Sequence, residues 1–248
     1  MAQLKPITDR AVTSTSPYTV HYFPSPNCLK VMIALLEFEC EYTEVLVDLV
    51  AGQQLSADFA GLNFNHKVPV LVLADGQTMV ESGAILEFLA EQHQQFLALE
   101  WNERWLIKQW LYWQMAGLGP SAGQAHHFRQ FAPETIDYGV TRYTNEVNRL
   151  YGVLDRQLTD RRFVAGAYSI ADMAIWPWIL HHEWQGQSLS DFPAIARWFG
   201  RIAKRPAVRA ALEKYPTQRV APEHYALLLG QTASSIGSHT TSNTEQGA

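Results

Sequence analysis

Three residues with useful chemistry crowd one short stretch: Ser25, Asn27 and Cys28, with Pro26 among them suited to the first turn of a helix. A helix start favours anions, because its first backbone N–H groups lack partners and the macrodipole is positive there. A free thiol ionises near pH 8.5, so at neutral pH only a few per cent of it is the nucleophilic thiolate. Lowering that pKa by about two units, or roughly 2.7 kcal/mol, leaves it mostly ionised. The Asn27 amide and the Ser25 hydroxyl add neutral donors at such a place, and neither is itself a strong nucleophile. The pattern suits holding a thiolate that a ligand brings. A turn residue for Asn27 and a simple N-cap for Ser25 are the plainer alternatives. Cys28 completes a Ser-x-x-Cys outline, a Cys-x-x-Cys with its first thiol replaced. One turn into a helix a cysteine is more often packed than reactive, so resolving a mixed disulfide is its lesser reading.

The pairs His126-His127 and His181-His182 suggest a metal. Adjacent helical residues point about 100° apart, however, so neither pair can chelate by itself and no metal is expected. Cys28 and Cys40 are the two cysteines. Along one helix they would stand roughly 18 Å apart, too far for a disulfide. Two unbridged thiols fit a reducing compartment, with the cytoplasm as the expectation.

The 248 residues are 47% hydrophobic, enough for two modest domains with real cores. Only 17% are charged and the net charge is −5, which speaks against nucleic-acid or acidic-membrane partners. No stretch reaches the ~18 apolar residues of a membrane-spanning helix. Residues 1–16 read as a flexible tail without a signal-peptide core, and the Ser/Thr/Gly-rich 231–248 as a disordered one.

The elements needed to position the chemistry can be read between those tails. Tyr18–Phe23 is a β-branched and aromatic strand, followed by a helix over Pro26–Glu39 whose buried stripe is Leu29, Met32, Ile33 and Leu36. Tyr42–Leu49 reads as a strand, Ser56–Leu62 as a short helix and Lys67–Leu73 as a strand opening on Pro69. Asp75-Gly76 marks a hairpin turn into Gln77–Val80, and Glu81-Ser82-Gly83 opens a helix through about His93. One parallel crossover followed by a hairpin, βαβ-α-ββα, is a thioredoxin-like α/β arrangement, assigned to residues 17–95. The remainder, 101–225, is all-α. Trp101–Met115 is apolar on more than one face, with Leu106, Trp110 and Trp113 on one side and Ile107 and Leu111 beside it, which suits a subunit interface. Ile136, Val140, Tyr143, Val147, Leu150, Leu154 and Leu158 keep the strongest helical period. Ser169 and Asp172 form a capping box, and Phe192–Lys204 and Pro206–Lys214 supply the last helices.

In this order the strand–Pro–helix opening, Lys67-Val68-Pro69, Glu81-Ser82-Gly83-Ala84-Ile85-Leu86 and Ser169-Ile170-Ala171-Asp172 resemble the glutathione transferase superfamily, over about four fifths of the chain. Pro24-Ser25-Pro26-Asn27, Gln109–Met115, Gly117-Leu118-Gly119-Pro120 and Gly123–Phe128 look like its nu class. That class includes bacterial disulfide-bond reductases and is similar to the globular domain of the yeast nitrogen-catabolite regulator. The regulator's Asn/Gln-rich prion-forming segment has no counterpart here, and Cys28 departs from the glycine common after the asparagine.

The resemblance implies a homodimeric enzyme with glutathione as co-substrate, whose thiolate is held by Asn27 with help from Ser25. It implies a cis Pro69 that turns the Val68 backbone to the cysteinyl part, and Glu81 and Ser82 at the γ-glutamyl end. Gln54 and Arg142 are carried over as further contacts, with Lys67 or His66 at the glycyl carboxylate. Three activities stay open: reduction of small disulfides, conjugation to an apolar electrophile, or a glutathione-binding regulator with little chemistry.

Overall fold

In the computed structural model, residues 16–216 are described. Apart from Ser16, the two tails expected from composition lie outside that range, as do residues 217–225 of the expected helical domain.

The run Tyr18–Tyr22 forms β1, the first of two central strands in a four-stranded sheet of order β2-β1-β3-β4. It pairs in parallel with β2 (Tyr42–Leu46), Tyr18 opposite Tyr42, and antiparallel with β3 (Val70–Leu73), Val20 opposite Leu71. A parallel neighbour demands a crossover. α1 (Pro26–Glu37) supplies it, and α2 (Ala57–Leu62), capped by Ser56, follows β2. β3 turns into β4 (Thr78–Val80) through Asp75-Gly76, where Gly76 takes the positive φ of +84° that the tight turn requires. α3 (Ser82–His93) closes this half. β2 ends three residues sooner than expected. β3 begins later than the sequence suggests, because Pro69, which follows a cis peptide bond, has no N–H for a ladder.

Every residue of α1 from Cys28 to Leu35 is buried, Lys30 included. The expected stripe is therefore too narrow, and within it Leu36 is only half-buried. A helix covered all round needs partners on all sides. Besides the sheet and α3, α1 packs against α7 (Ile170–Ile179) and α9 (Pro206–Lys214) of the helical half.

α4 (Trp101–Trp113) does not stop where the sequence suggests. The chain stays helical through a π-turn, Gln114–Leu118, then α5 (Gly119–His126), then a second π-turn, His127–Phe131. Gly117, Gly119, Pro120 and Gly123 argue against a helix by propensity, and tertiary packing overrides them. α6 (Asp137–Leu158) is the periodic segment, with Val147, Leu150, Leu154 and Leu158 inward. α8 (Pro193–Ile202) precedes α9.

The capping box of α7 forms as read. Asp172, fully buried, accepts from the backbone N–H of Ser169 and of Val164, both at 3.0 Å, from the Ser169 hydroxyl at 3.2 Å and from the Trp198 indole at 2.7 Å. Burial raises its carboxyl to about 6, while these donors pull the other way. At neutral pH it is a carboxylate with four donors.

Candidate active site at the start of α1

Ser25 has extended backbone angles (φ −140°, ψ 158°) and caps α1, its Oγ accepting from the Cys28 N–H at 3.4 Å. Its carbonyl takes the Leu29 N–H at 2.9 Å. Pro26 has no N–H, so the Asn27 N–H is the donor left in the first turn. The N-cap reading of Ser25 thus holds, and the hydroxyl proton remains available to an anion.

Asn27 is oriented from the other half of the molecule. The Trp178 indole N–H of α7 donates to Asn27 Oδ1 at 3.1 Å. An amide whose oxygen accepts from an indole presents its NH2 group elsewhere. That is the orientation a thiolate requires.

Cys28 has turned inward. It is 1% exposed, its sulfur accepts from the Phe23 N–H at 3.5 Å, and burial pushes the thiol up to about 11. It is a packed residue, and Cys40 is likewise unbridged.

Lys30, one turn on from Asn27, was not singled out from the sequence. It is completely buried, and its Nζ donates to Gln114 Oε1 at 2.5 Å, Ser82 Oγ at 3.3 Å and Met115 Sδ at 3.3 Å. The signal existed: a helix apolar on every face buries its one lysine too. Gln114 and Met115 reach it because the π-turn carries them there. Gly119 must lack a side chain for this, since a Cβ would stand 2.7 Å from Gln114 Nε2 and 3.5 Å from the Trp178 ring. Asn27, Trp178, Gly119, Gln114, Lys30 and Ser82 therefore form one chain of neighbours across both halves.

Around it stand the other expected residues. Ser82 is buried at the first turn of α3, and Glu81 before it is exposed, at φ +69° and ψ +112°. For a residue with a side chain this backbone costs about 1–3 kcal/mol, a strain that marks functional sites. Val68 precedes β3, so its backbone N–H and C=O lie outside the ladder. The His66 ring meets the Gln54 carbonyl through Nδ1 at 2.7 Å, and the Lys67 carbonyl accepts from Asn63 Nδ2 at 2.8 Å. Burial lowers the Lys67 ammonium pKa. Arg142 is exposed on α6, its guanidinium 5.8 Å from the Tyr143 ring centre.

One histidine from each pair, His126 and His181, face each other at 6.1 Å between ring centres, a juxtaposition that reading each pair alone misses. His126 stacks on Trp178 and His181 on Trp184. Burial holds both imidazoles near 4, so they are neutral at pH 7. His126 backs the Trp178 ring that meets Asn27, and His181 lies behind His126. Among the described residues no group of three or more His, Cys, Asp or Glu side chains could hold a metal.

The glutathione S-transferase N-terminal domain matches residues 24–92, and the corresponding C-terminal domain matches residues 125–206. The chain belongs to the glutathione S-transferase family. This family member is 43% identical over 202 residues to the disulfide-bond oxidoreductase YfcG of Escherichia coli, covering 79% of this chain and 94% of that protein. A glutathione transferase from Pseudomonas putida, crystallised with one glutathione disulfide per subunit, superposes with a TM-score of 0.77 at 36% identity, over 82% of this chain and 94% of that one. The nitrogen regulation fragment of the yeast prion protein Ure2p superposes with a TM-score of 0.76 at 32% identity, over 80% and 96%.

Proposed function

We propose that this family member is a glutathione-dependent disulfide-bond oxidoreductase of the nu class, in which the thiolate of bound glutathione is the nucleophile. The observation that carries the reading is the Trp178–Asn27 hydrogen bond, which commits the amide oxygen and leaves the NH2 group for a sulfur anion. Two facts support it. The one cysteine beside the site is buried with its thiol pushed to about 11, so the reacting sulfur must arrive with a ligand. YfcG, so named for disulfide chemistry, is similar along nearly its whole length.

The ligand lies with its γ-glutamyl end at Glu81 and Ser82, its cysteinyl part along Val68, and its glycyl carboxylate towards Lys67 or His66. Gln54, buried, and Arg142, exposed on α6, are the further contacts. The glutathione thiol loses its proton on binding, and the thiolate attacks one sulfur of the substrate disulfide. An S–S bond forms as the old one breaks, and the departing thiolate takes a proton. A second glutathione resolves the mixed disulfide in the same way, so two glutathione molecules become glutathione disulfide and the substrate leaves as two thiols.

The working unit is a homodimer through the outer face of α4, where Trp101, Trp105 and Tyr112 are 68%, 43% and 53% exposed. Free Cys28 and Cys40 suit the cytoplasm, and no described helix is long and apolar enough to cross a membrane.

The test is glutathione-driven reduction of 2-hydroxyethyl disulfide beside conjugation to a chloronitrobenzene. The reading expects fast disulfide turnover that falls about a hundredfold in Asn27→Ala, the scale of losing one oriented donor to a developing anion. Conjugation without disulfide turnover would make the protein an ordinary transferase. Tight glutathione binding with neither activity would make it a regulator.

A further inference from the structure

Lys30 is a fully buried cation that this chemistry leaves unused. Its three N–H bonds are spoken for, by Gln114 Oε1, Ser82 Oγ and Met115 Sδ, so it has none to offer a ligand directly. Because it donates to Ser82 Oγ, the serine's own proton points away from it, here to Met115 Sδ at 3.8 Å, a weak acceptor that a carboxylate would displace. Holding it also leaves a mark on its partner. The Gln114 amide has turned its oxygen to the ammonium, and its nitrogen is buried without a hydrogen-bond partner. Leaving an amide donor unmet costs about 1–3 kcal/mol, so the lysine decides the amide's orientation.

We propose that Lys30 is a positioning residue for the α-carboxylate of the γ-glutamyl group. From behind Ser82 it fixes the direction of the hydroxyl and supplies the positive charge that the carboxylate meets. The inference rests on the reading that the γ-glutamyl end lies at Glu81 and Ser82. Lys30 sits under the first turn of α3, where a carboxylate also meets unpaired backbone N–H groups. Glu81, outside, is left to the ligand's ammonium.

A consequence follows for pH. Burial lowers Lys30 to about 7, against the opposing fields of Glu81 on the α3 side and Cys28 on its own helix. Its partners on the π-turn are neutral, and among the described residues α7 and α9 add no titratable group to its field. A carboxylate binds the charged lysine better, so binding raises its pKa, and affinity falls as pH rises through 7.

The probe is S-methylglutathione, whose sulfur carries no proton, with its dissociation constant measured by calorimetry from pH 6 to pH 8. For the unaltered protein the expected weakening across that range is about tenfold. Ser82→Ala should flatten the profile, and Lys30→Met should weaken binding about tenfold at pH 6 and far less at pH 8. In the Ser82→Ala background, Lys30→Met should add little, because the two act as a unit. The ligand's own ammonium titrates equally in every arm. A flat profile in the unaltered protein, or one that survives both substitutions, overturns the role of Lys30 while leaving the glutathione site intact. No binding at any pH overturns both. If Lys30→Met does not fold, the unaltered and Ser82→Ala profiles decide alone.

Discussion

A carboxylate and an ammonium, Asp172 and Lys30, have both lost water entirely, and they have been treated in opposite ways. Asp172, at the start of α7, is met by four donors from three elements of the helical half. Lys30, where α1 meets α3 and the π-turn, has one short bond to an amide, one longer bond to a hydroxyl and a thioether. The buried carboxylate is fully satisfied and holds a helix end, a loop and α8 together. The buried ammonium has its three protons engaged by neutral partners alone, and one of them, Ser82, lies at the proposed ligand site. Four well-placed donors go with architecture, and a charge held by weak neutral acceptors goes with the proposed function.

The largest expected effect tests the first half of that contrast. Asp172→Ala leaves two backbone N–H groups, a hydroxyl and an indole without their acceptor, and should cost about 4 kcal/mol in urea unfolding. A loss under about 1 kcal/mol would mean that the network is decoration. Next comes Lys30→Met. Replacing a buried charge that has no opposite charge bonded to it by an apolar chain of similar volume often stabilises, so at pH 7 this variant should gain about 2 kcal/mol. The lysine's folded pKa, about 7, lies below its ordinary 10.5. Between those values the unfolded chain binds more protons, so this group makes stability rise with pH there, and the rise should vanish in Lys30→Met. A variant less stable at pH 7 would place Lys30 with Asp172 as a structural group.

Those two regions also differ in how visible they were in the sequence. The capping box at Ser169 and Asp172 is local, two side chains three apart answering each other's backbone, and local patterns can be read. The hairpin at Gly76 and the length of α6 were legible for the same reason. What Lys30 does depends on Gln114, which is 84 residues away in the chain. It depends too on a π-turn that glycines and a proline make improbable on propensity alone. Trp178 and Asn27, 151 residues apart, were hidden in the same way. Residue types announced a thiolate site at Asn27, but only the fold reveals which way its amide points.

A smaller prediction concerns that amide. Trp178→Phe keeps the ring against His126 and removes the N–H that holds Asn27 Oδ1. The turnover number should fall about tenfold as the amide loses its orientation, with the KM for glutathione nearly unchanged. An equal fall in binding would mean that the indole supports the site by packing. Smallest of all, Cys28→Ala should cost about 1 kcal/mol of stability and leave disulfide turnover within about twofold, since the thiol is buried and un-ionised. A collapse of turnover on that change would return the chemistry to a protein thiol.

The all-round burial of α1 also bears on how the protein is made. The sheet and α1 leave the ribosome early, but part of the cover on α1 comes from α7 and α9, the last helices of the described chain. At synthesis rates of about 5–20 residues per second, the stretch from Glu37 to Pro206 takes on the order of ten to thirty seconds. For that interval a helix rich in Leu, Val, Ile and Met lacks part of its cover, which makes it a natural client for a chaperone. The first half of the protein to be synthesised is thus among the last to be completed.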